Sequence, residues 1–530
     1  MKRSKRVLGW LLALLIAVGG TLVFLRSAPT ASALFRRPDP QEMLGPADTV
    51  QPLTDSVGTY PVPAPTGTAG TVDGQALLDA FLSSRSYQLL GPCVTEGKKA
   101  EQSLRISLLD PALLGEGLNA ELAALLRERV EAAEKAEEIY ENGTFRAELL
   151  QEVFHAALAA RLQTPENYLR VHDLSLSLSY SSGMWQLNNA QELADAALGA
   201  FGQAAQADEL AASLYDAATA DLPYMPLHYR IEENALAGPT PNPDCFGVTD
   251  DPAVITELLQ RPEAQALIGG QELVWNAELE LFPNSPIRYY LDDSLLVLVW
   301  QEVEARGVGT FSEVFIQDGS QFRRLITSEH WEEWKTTTDF AQATNAVLAS
   351  GADYFFLGRN CGIGVYQREL FHYVPTCDIC YVTADGDMLF SYVATAPSEE
   401  EARRFVADND VVFSLCFGPV LIDDGVDVTP DFYPWGEVNE EYARSAIGML
   451  GRHHYLKMDI NCGTGVYYYL ATLRQAADAM VKRGCIKAYA LDGGQTATTV
   501  FNGELINPVQ FGWEKQISDI IYFATAVPNP

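Results

Sequence analysis

Leu491-Asp492-Gly493-Gly494-Gln495-Thr496-Ala497-Thr498-Thr499-Val500-Phe501-Asn502-Gly503 opens at the end of an apolar run, closing in Ala490 and Leu491, that reads as a strand. The strand delivers an acid and then glycines, which accept backbone geometry closed to other residues and let a ligand come close to Asp492. Hydroxyl side chains follow, then a short strand and Asn502-Gly503, a strong signal for a turn between antiparallel strands. An ordinary β-turn with an acid on its surface would contain the same residues, since Asp-Gly turns are common. The neighbouring segments separate the two readings.

Three of them occur in a fixed order: Phe417-Gly418-Pro419-Val420-Leu421-Ile422-Asp423-Asp424-Gly425, Arg444-Ser445-Ala446-Ile447-Gly448 and Ser518-Asp519-Ile520-Ile521. With the Asp492 loop, they resemble the phosphodiester glycosidase family. The loop is similar to its Asp-Gly-Gly-Gly-Ser-Ser-Thr signature, and the other segments to its Gly-Pro-hydrophobic-Asp-Gly, Arg-Thr-Ala-Ile-Gly and closing strands. The resemblance runs from about Tyr289 onward. It implies hydrolysis of a sugar phosphodiester or a cell-envelope glycan, as in relatives labelled exopolysaccharide biosynthesis proteins.

Hydrolysing a glycosidic bond takes one group that protonates the leaving oxygen and a carboxylate that deals with water or the anomeric carbon. Asp492 is the expected carboxylate, with Asp353 as a second acid. Arg444 is expected to grip a phosphodiester oxygen bidentately, as a guanidinium fork can; a surface arginine on a strand is the plain alternative. Gly493 and Gly494 leave room for substrate, and Thr496 and Thr498 could donate to phosphate or sugar, or simply cap and pack. No cofactor is expected, a divalent ion staying open, and no metal ligands are assigned.

Two family positions differ. Gly351-Ala352-Asp353-Tyr354-Phe355-Phe356 keeps an acid and aromatics but lacks the family's Asn, and the Asp-Gly-Arg motif falls on Asn461-Cys462-Gly463. Asn461, counted with the substrate-binding candidates, cannot serve as an acid or base; a two-residue shift would make Asp459 the acid, still without the arginine. A weakened relative that binds envelope glycan or protein partners without cleavage is therefore the second reading. Beside these positions, Asn360-Cys361-Gly362-Ile363-Gly364-Val365-Tyr366 and Asn461-Cys462-Gly463-Thr464-Gly465-Val466-Tyr467 repeat one pattern. With the resemblance placing both at one pocket, a disulfide between Cys361 and Cys462 is expected at its mouth. Cys377 and Cys380 have redox or zinc spacing, but on a strand their sulfurs would face opposite ways.

Around these motifs the chain reads as α+β. Residues 286–530 form the glycosidase-like domain, with strands at Leu295–Trp300 and Phe311–Ile316, helices at Phe340–Leu348 and Arg474–Arg483, and strands between. Residues 220–285 read as a Pro-rich connector with one short helix, Pro252–Gln265. Residues 75–219 form a helix-plus-sheet spacer or binding domain, its half-buried strand marked by Leu174, Leu176 and Leu178 alternating with serines. Residues 38–74 are a Pro/Thr/Gly-rich linker. Residues 1–37 hold a basic cluster and the apolar run Val7–Leu25, which at about 1.5 Å per residue nearly crosses a hydrocarbon core of about 30 Å. That pattern predicts a single-pass anchor, N-terminus in the cytoplasm and the bulk outside. A cleaved signal peptide ending at Ala31-Ser32-Ala33 is the competing reading. A net charge of −34 over 530 residues argues against nucleic acid as a partner.

Overall fold

The computed structural model describes residues 67, 69–141, 143–181, 184–327, 330–353, 361–434, 436–461 and 470–528. The expected anchor and most of the linker lie outside them. Among the described residues, no helix is long and apolar enough to cross a membrane. The chain divides into two compact units, one reaching Arg129 and resuming over Glu137–Pro223, the other comprising Val130–Ala136 and everything from Tyr224.

The first unit combines α-helices with a four-stranded antiparallel sheet ordered Ser86–Glu96, Lys99–Leu109, Leu169–Ser181, Met184–Leu187. The Leu174–Leu178 alternation meets its match across the strand pair: Leu178 faces Ala100, Leu176 faces Gln102 and Leu174 faces Leu104. Helix Val72–Ser84 joins the core through Phe81, which stacks on Phe201, just ahead of helix Ala204–Thr219, at 4.4 Å. Strand Ser86–Glu96 and helix Ala204–Thr219 have no counterpart in the sequence reading. The strand lies at the sheet edge and is mostly exposed, so no buried alternation marks it.

The second unit is built on a nine-stranded sheet. Its order is Val426–Asp427, Val420–Asp423, Lys487–Leu491, Arg444–Gly451, His454–Asn461, Gly307–Ile316, Leu295–Glu304, Ile287–Leu291 and Phe246–Thr249. Both faces are covered. Leu296, Leu298 and Trp300 enter one core with helices Pro252–Leu259, Pro262–Ile268 and Leu473–Lys482. Leu295, Val297 and Val299 enter the other, against a five-stranded sheet ordered Phe322–Ile326, Asp519–Phe523, Leu348–Gly351, Val500–Phe501, Glu504–Leu505. A strand buried on both sides reads as a continuous apolar run, which explains Leu295–Trp300. A second five-stranded sheet carries Gly362–Tyr366 and Val411–Leu415.

Residues read as a connector thus belong to the compact unit: they supply an edge strand and two helices in place of one. Pro262 lacks the N–H needed to continue a helix, so it opens a new one at Pro262–Ile268. The expected Phe340–Leu348 helix runs over Thr337–Ala343 instead, and Leu348 starts a strand. Cys377 and Cys380 face different cores, although only Cys380 is on the strand, Ile379–Thr383.

Candidate active site

Strand Lys487–Leu491 pairs with Arg444–Gly451 so that Leu491 lies opposite Ser445, which brings Asp492 and Arg444 to the same end of the sheet. From there the 492–499 loop is tied to several elements. The Asp492 amide donates to Ala352 O at 2.9 Å, and the Gly494 amide to Ala443 O at 2.8 Å. Asn461 Nδ2 donates to Ala497 O at 3.0 Å, and the Gly351 amide to Thr498 Oγ1 at 3.1 Å. Thr499 Oγ1 donates to Asp459 Oδ2 at 2.5 Å. Gly493 is required here, because a Cβ would collide with the Ala443 carbonyl oxygen. The candidates Asp492, Gly493, Gly494, Thr496, Thr498, Asp353, Asp459, Asn461 and Arg444 are therefore gathered around one loop.

Asp492 is 8 % exposed, and burial pushes its carboxyl up to about 7. A hydrogen bond from Thr496 and the charge of Lys515 pull the other way, while the charges of Asp519 and Asp353 add to the rise. Those two acids are sealed. Arg324 Nη2 donates to Asp353 Oδ2 at 2.6 Å and to Asp519 Oδ2 at 2.9 Å, with side chains essentially inaccessible. The Cys416 amide adds a bond to Asp353 Oδ2 at 2.8 Å, and the Asp353 amide one to Asp519 Oδ2 at 3.1 Å. Desolvation still raises both carboxyls, against the lowering effect of Arg324. One guanidinium therefore serves two buried carboxylates, and the excess negative charge is felt at Asp492.

Asp353, expected as a second acid at the substrate, is instead enclosed in this ion network. Asp459 is likewise committed: Lys457 Nζ donates to its Oδ1 at 2.7 Å and Thr499 holds Oδ2. Lys457 is buried, which lowers its pKa against the opposing pull of Asp459. Arg444 is only 6 % exposed. Its Nε donates to Ala471 O at 3.1 Å and its Nη2 to Val438 O at 3.0 Å and to Glu440 O. The bidentate edge expected to grip phosphate thus holds backbone carbonyls. These neutral partners leave its charge without a carboxylate, and burial lowers its pKa to about 10. Thr498 Oγ1 bonds Thr337 Oγ1 at 2.8 Å, a packing role. Thr496 bonds Gly493 O at 2.6 Å beside the Asp492 carboxyl.

Among the described residues, several buried atoms here have no hydrogen-bond partner: Asp353 Oδ1, Asn461 Oδ1, Ser445 Oγ and Arg324 Nε. Arg324, Asp519 as an ionisable group, and Lys515 were missed from the sequence. The signal for Arg324 was present, as Arg323-Arg324 interrupts the apolar strand Phe322–Ile326. Cys361 is a buried, free thiol hydrogen-bonded to Cys377, whose pKa rises chiefly from that bond and then from burial. Its expected disulfide partner, Cys462, lies outside the described residues. Among the described residues, no group of three or more His, Cys, Asp or Glu side chains is arranged to hold a metal ion.

Residues 377–524 match the family model described as phosphodiester glycosidase, so the C-terminal part of the chain carries a phosphodiester glycosidase-like domain. A Bacillus subtilis (strain 168) protein, the SPbeta prophage-derived uncharacterized protein YomE, is 27 % identical over 108 residues. That match covers 20 % of this chain and 17 % of the relative, so the chain spans well under two thirds of that relative's length. Among solved structures, the zebrafish N-acetylglucosamine-1-phosphodiester alpha-N-acetylglucosaminidase catalytic domain, auto-inhibited by its pro-peptide, is similar with 19 % identity and a TM-score of 0.34. It covers 47 % of this chain and 86 % of that one. A hypothetical protein from Synechocystis is similar with 14 % identity and a TM-score of 0.33, over 45 % and 64 % of the two chains.

Proposed function

We propose that the phosphodiester glycosidase-like domain hydrolyses a glycosyl phosphodiester, with Asp492 as the proton donor. The observation that carries this reading is a carboxyl held at about 7 by burial, at the one acid of its cluster that retains some exposure. A general acid works best when its pKa lies near the operating pH. In the reaction the bond from the anomeric carbon to the phosphate oxygen breaks, water adds its hydroxyl to that carbon, the phosphomonoester leaves with the proton from Asp492, and the proton released by water restores the Asp492 carboxyl. Lys515 and the uncompensated charge of Arg444 favour the phosphate electrostatically. Asp353 and Asp519 are positioning residues that act through the Asp492 proton, and Asp459 orients Thr499.

A panel of aryl esters of hexopyranose 1-phosphates tests the reading. Turnover is expected, with kcat/KM falling as pH rises through about 7, because the protonated form of Asp492 is the active one. Absence of turnover with every panel member from pH 5 to 8 would sink it. The weakened-binder reading draws on Asn461, whose Oδ1 has no partner among the described residues where the family motif has an acid; glycan binding without any hydrolysis would favour it.

The same proposal holds the domain outside the cell on the Val7–Leu25 segment, supported by the basic residues preceding it. Full-length protein is then expected in the membrane fraction after carbonate extraction, with the ectodomain removed by external protease. A secreted chain starting near Leu34 would replace the anchor with a cleaved signal peptide.

A further inference from the structure

Segment 510–515 runs beside the Asp492 loop and is held firmly. Gln495 Nε2 donates to Trp513 O at 2.8 Å, and Gln510 Oε1 lies 3.4 Å from where a Cβ on Gly494 would stand. The Thr338 amide and hydroxyl donate to Glu514 at 3.1 and 2.6 Å, and the Ile517 amide to Lys335 O at 2.9 Å. Despite this anchoring, Phe511 is 50 % and Trp513 60 % exposed. Phe511 also has a φ of 67°, and Gly512 follows at 78°. A bulky side chain at positive φ is a genuine outlier, and such strain is retained where the surroundings impose it. Burial of these rings would stabilise the fold, whereas here a strained turn, pinned on both sides, presents them to solvent.

We propose that Phe511 and Trp513 are the sugar-stacking platform of the Asp492 site. The occupant is a hexopyranose ring whose C–H face lies on the aromatic rings, with its anomeric phosphodiester directed to Lys515 and Asp492. The order of the segment supports this: aromatic surface for the apolar face of the sugar, then a cation for the phosphate, whose charge already acts on the catalytic carboxyl. Rings held in place on a rigid turn contribute contact area with little entropy to lose on binding. This inference rests on the glycosyl phosphodiester reading and specifies which part of the substrate is gripped.

The test combines kinetics with calorimetric binding. Trp513→Ala and Phe511→Ala are each expected to raise KM for a p-nitrophenyl hexopyranose 1-phosphodiester about 10-fold with kcat little changed, and Trp513→Phe to retain most of the affinity. In the Asp492→Asn background, Trp513→Ala should weaken binding of the same compound about 10-fold, while leaving binding of a sugar-free aryl alkyl phosphodiester unchanged. Unchanged KM and Kd in both alanine variants would overturn the platform while leaving the hydrolytic reading intact. If the wild type binds the sugar compound through Trp513 but never cleaves it, the hydrolytic reading falls and the platform stands. If no sugar phosphodiester binds at all, the platform is wrong.

Discussion

Asp492→Asn will hydrolyse a glycosyl phosphodiester about 10²–10⁴-fold more slowly than the wild-type chain, the usual contribution of a positioned general acid. The same substitution will stabilise the domain at alkaline pH. Burial raises the Asp492 carboxyl from 3.8 to about 7 in the folded protein. The folded state therefore binds this proton more tightly than the unfolded one. The contribution of this group to stability falls as pH rises from about 4 towards 7 and is level above that, a loss of roughly 4 kcal/mol for such a shift. Asparagine keeps the shape and carries no charge, so the variant should gain on the wild type across that window and match it near pH 4. Urea denaturation at pH 4 and pH 8, alongside initial rates, measures both effects. Equal rates for the two proteins, or a variant less stable at pH 8, would remove Asp492 from the role of acid.

Arg324→Leu will have the largest effect on stability. The guanidinium is the cation bonded to both Asp353 and Asp519, and the side chains on all sides are sealed from water. Removing one partner of a buried ion pair leaves an uncompensated charge and costs about 3–5 kcal/mol. Without Arg324, which lowers both carboxyl pKa values, the acids will be more strongly raised. The variant's deficit should therefore be greatest above neutral pH and shrink as acid protonates the pair. Adding Asp353→Asn and Asp519→Asn should restore part of the stability. A domain that tolerates Arg324→Leu at pH 8 with no change in denaturation midpoint would contradict the ion network.

What could be read in the sequence was local. Asp492 stood out because glycines follow it directly, and the Leu295–Trp300 strand because every residue in it is apolar. Arg474–Arg483 was legible as a helix for the same reason: Ala476, Ala477 and Met480 recur at helical spacing, and the observed helix is Leu473–Lys482. The electrostatic setting was not local. Arg324 meets Asp519 across 195 residues, and no short window can register that pairing. Arg444 lies at the same end of the sheet as Asp492, yet its hydrogen bonds go to carbonyls of Val438, Glu440 and Ala471, whose positions depend on loop paths and not on residue type. The expected single helix Pro252–Gln265 differs from the observed pair for a simpler reason: Pro262 marks the break within it.

The strand Asp519–Phe523 lies between Phe322–Ile326 and Leu348–Gly351 in its sheet, so its two neighbours are made well before it. During synthesis at ~5–20 residues per second, the 195 residues separating Arg324 from Asp519 take roughly 10–40 s to emerge. Throughout that interval a nascent chain has Arg324 and Asp353 but an empty lane in the sheet between their strands. The Asp492 loop itself emerges late, and the strand bearing Asp519, whose charge adds to the effect of burial on Asp492, follows it off the ribosome. The setting of the Asp492 carboxyl is therefore completed only with the closing strand, and a chain halted before residue 519 would carry the acid loop, Asp353 and Lys515 without the charge of Asp519.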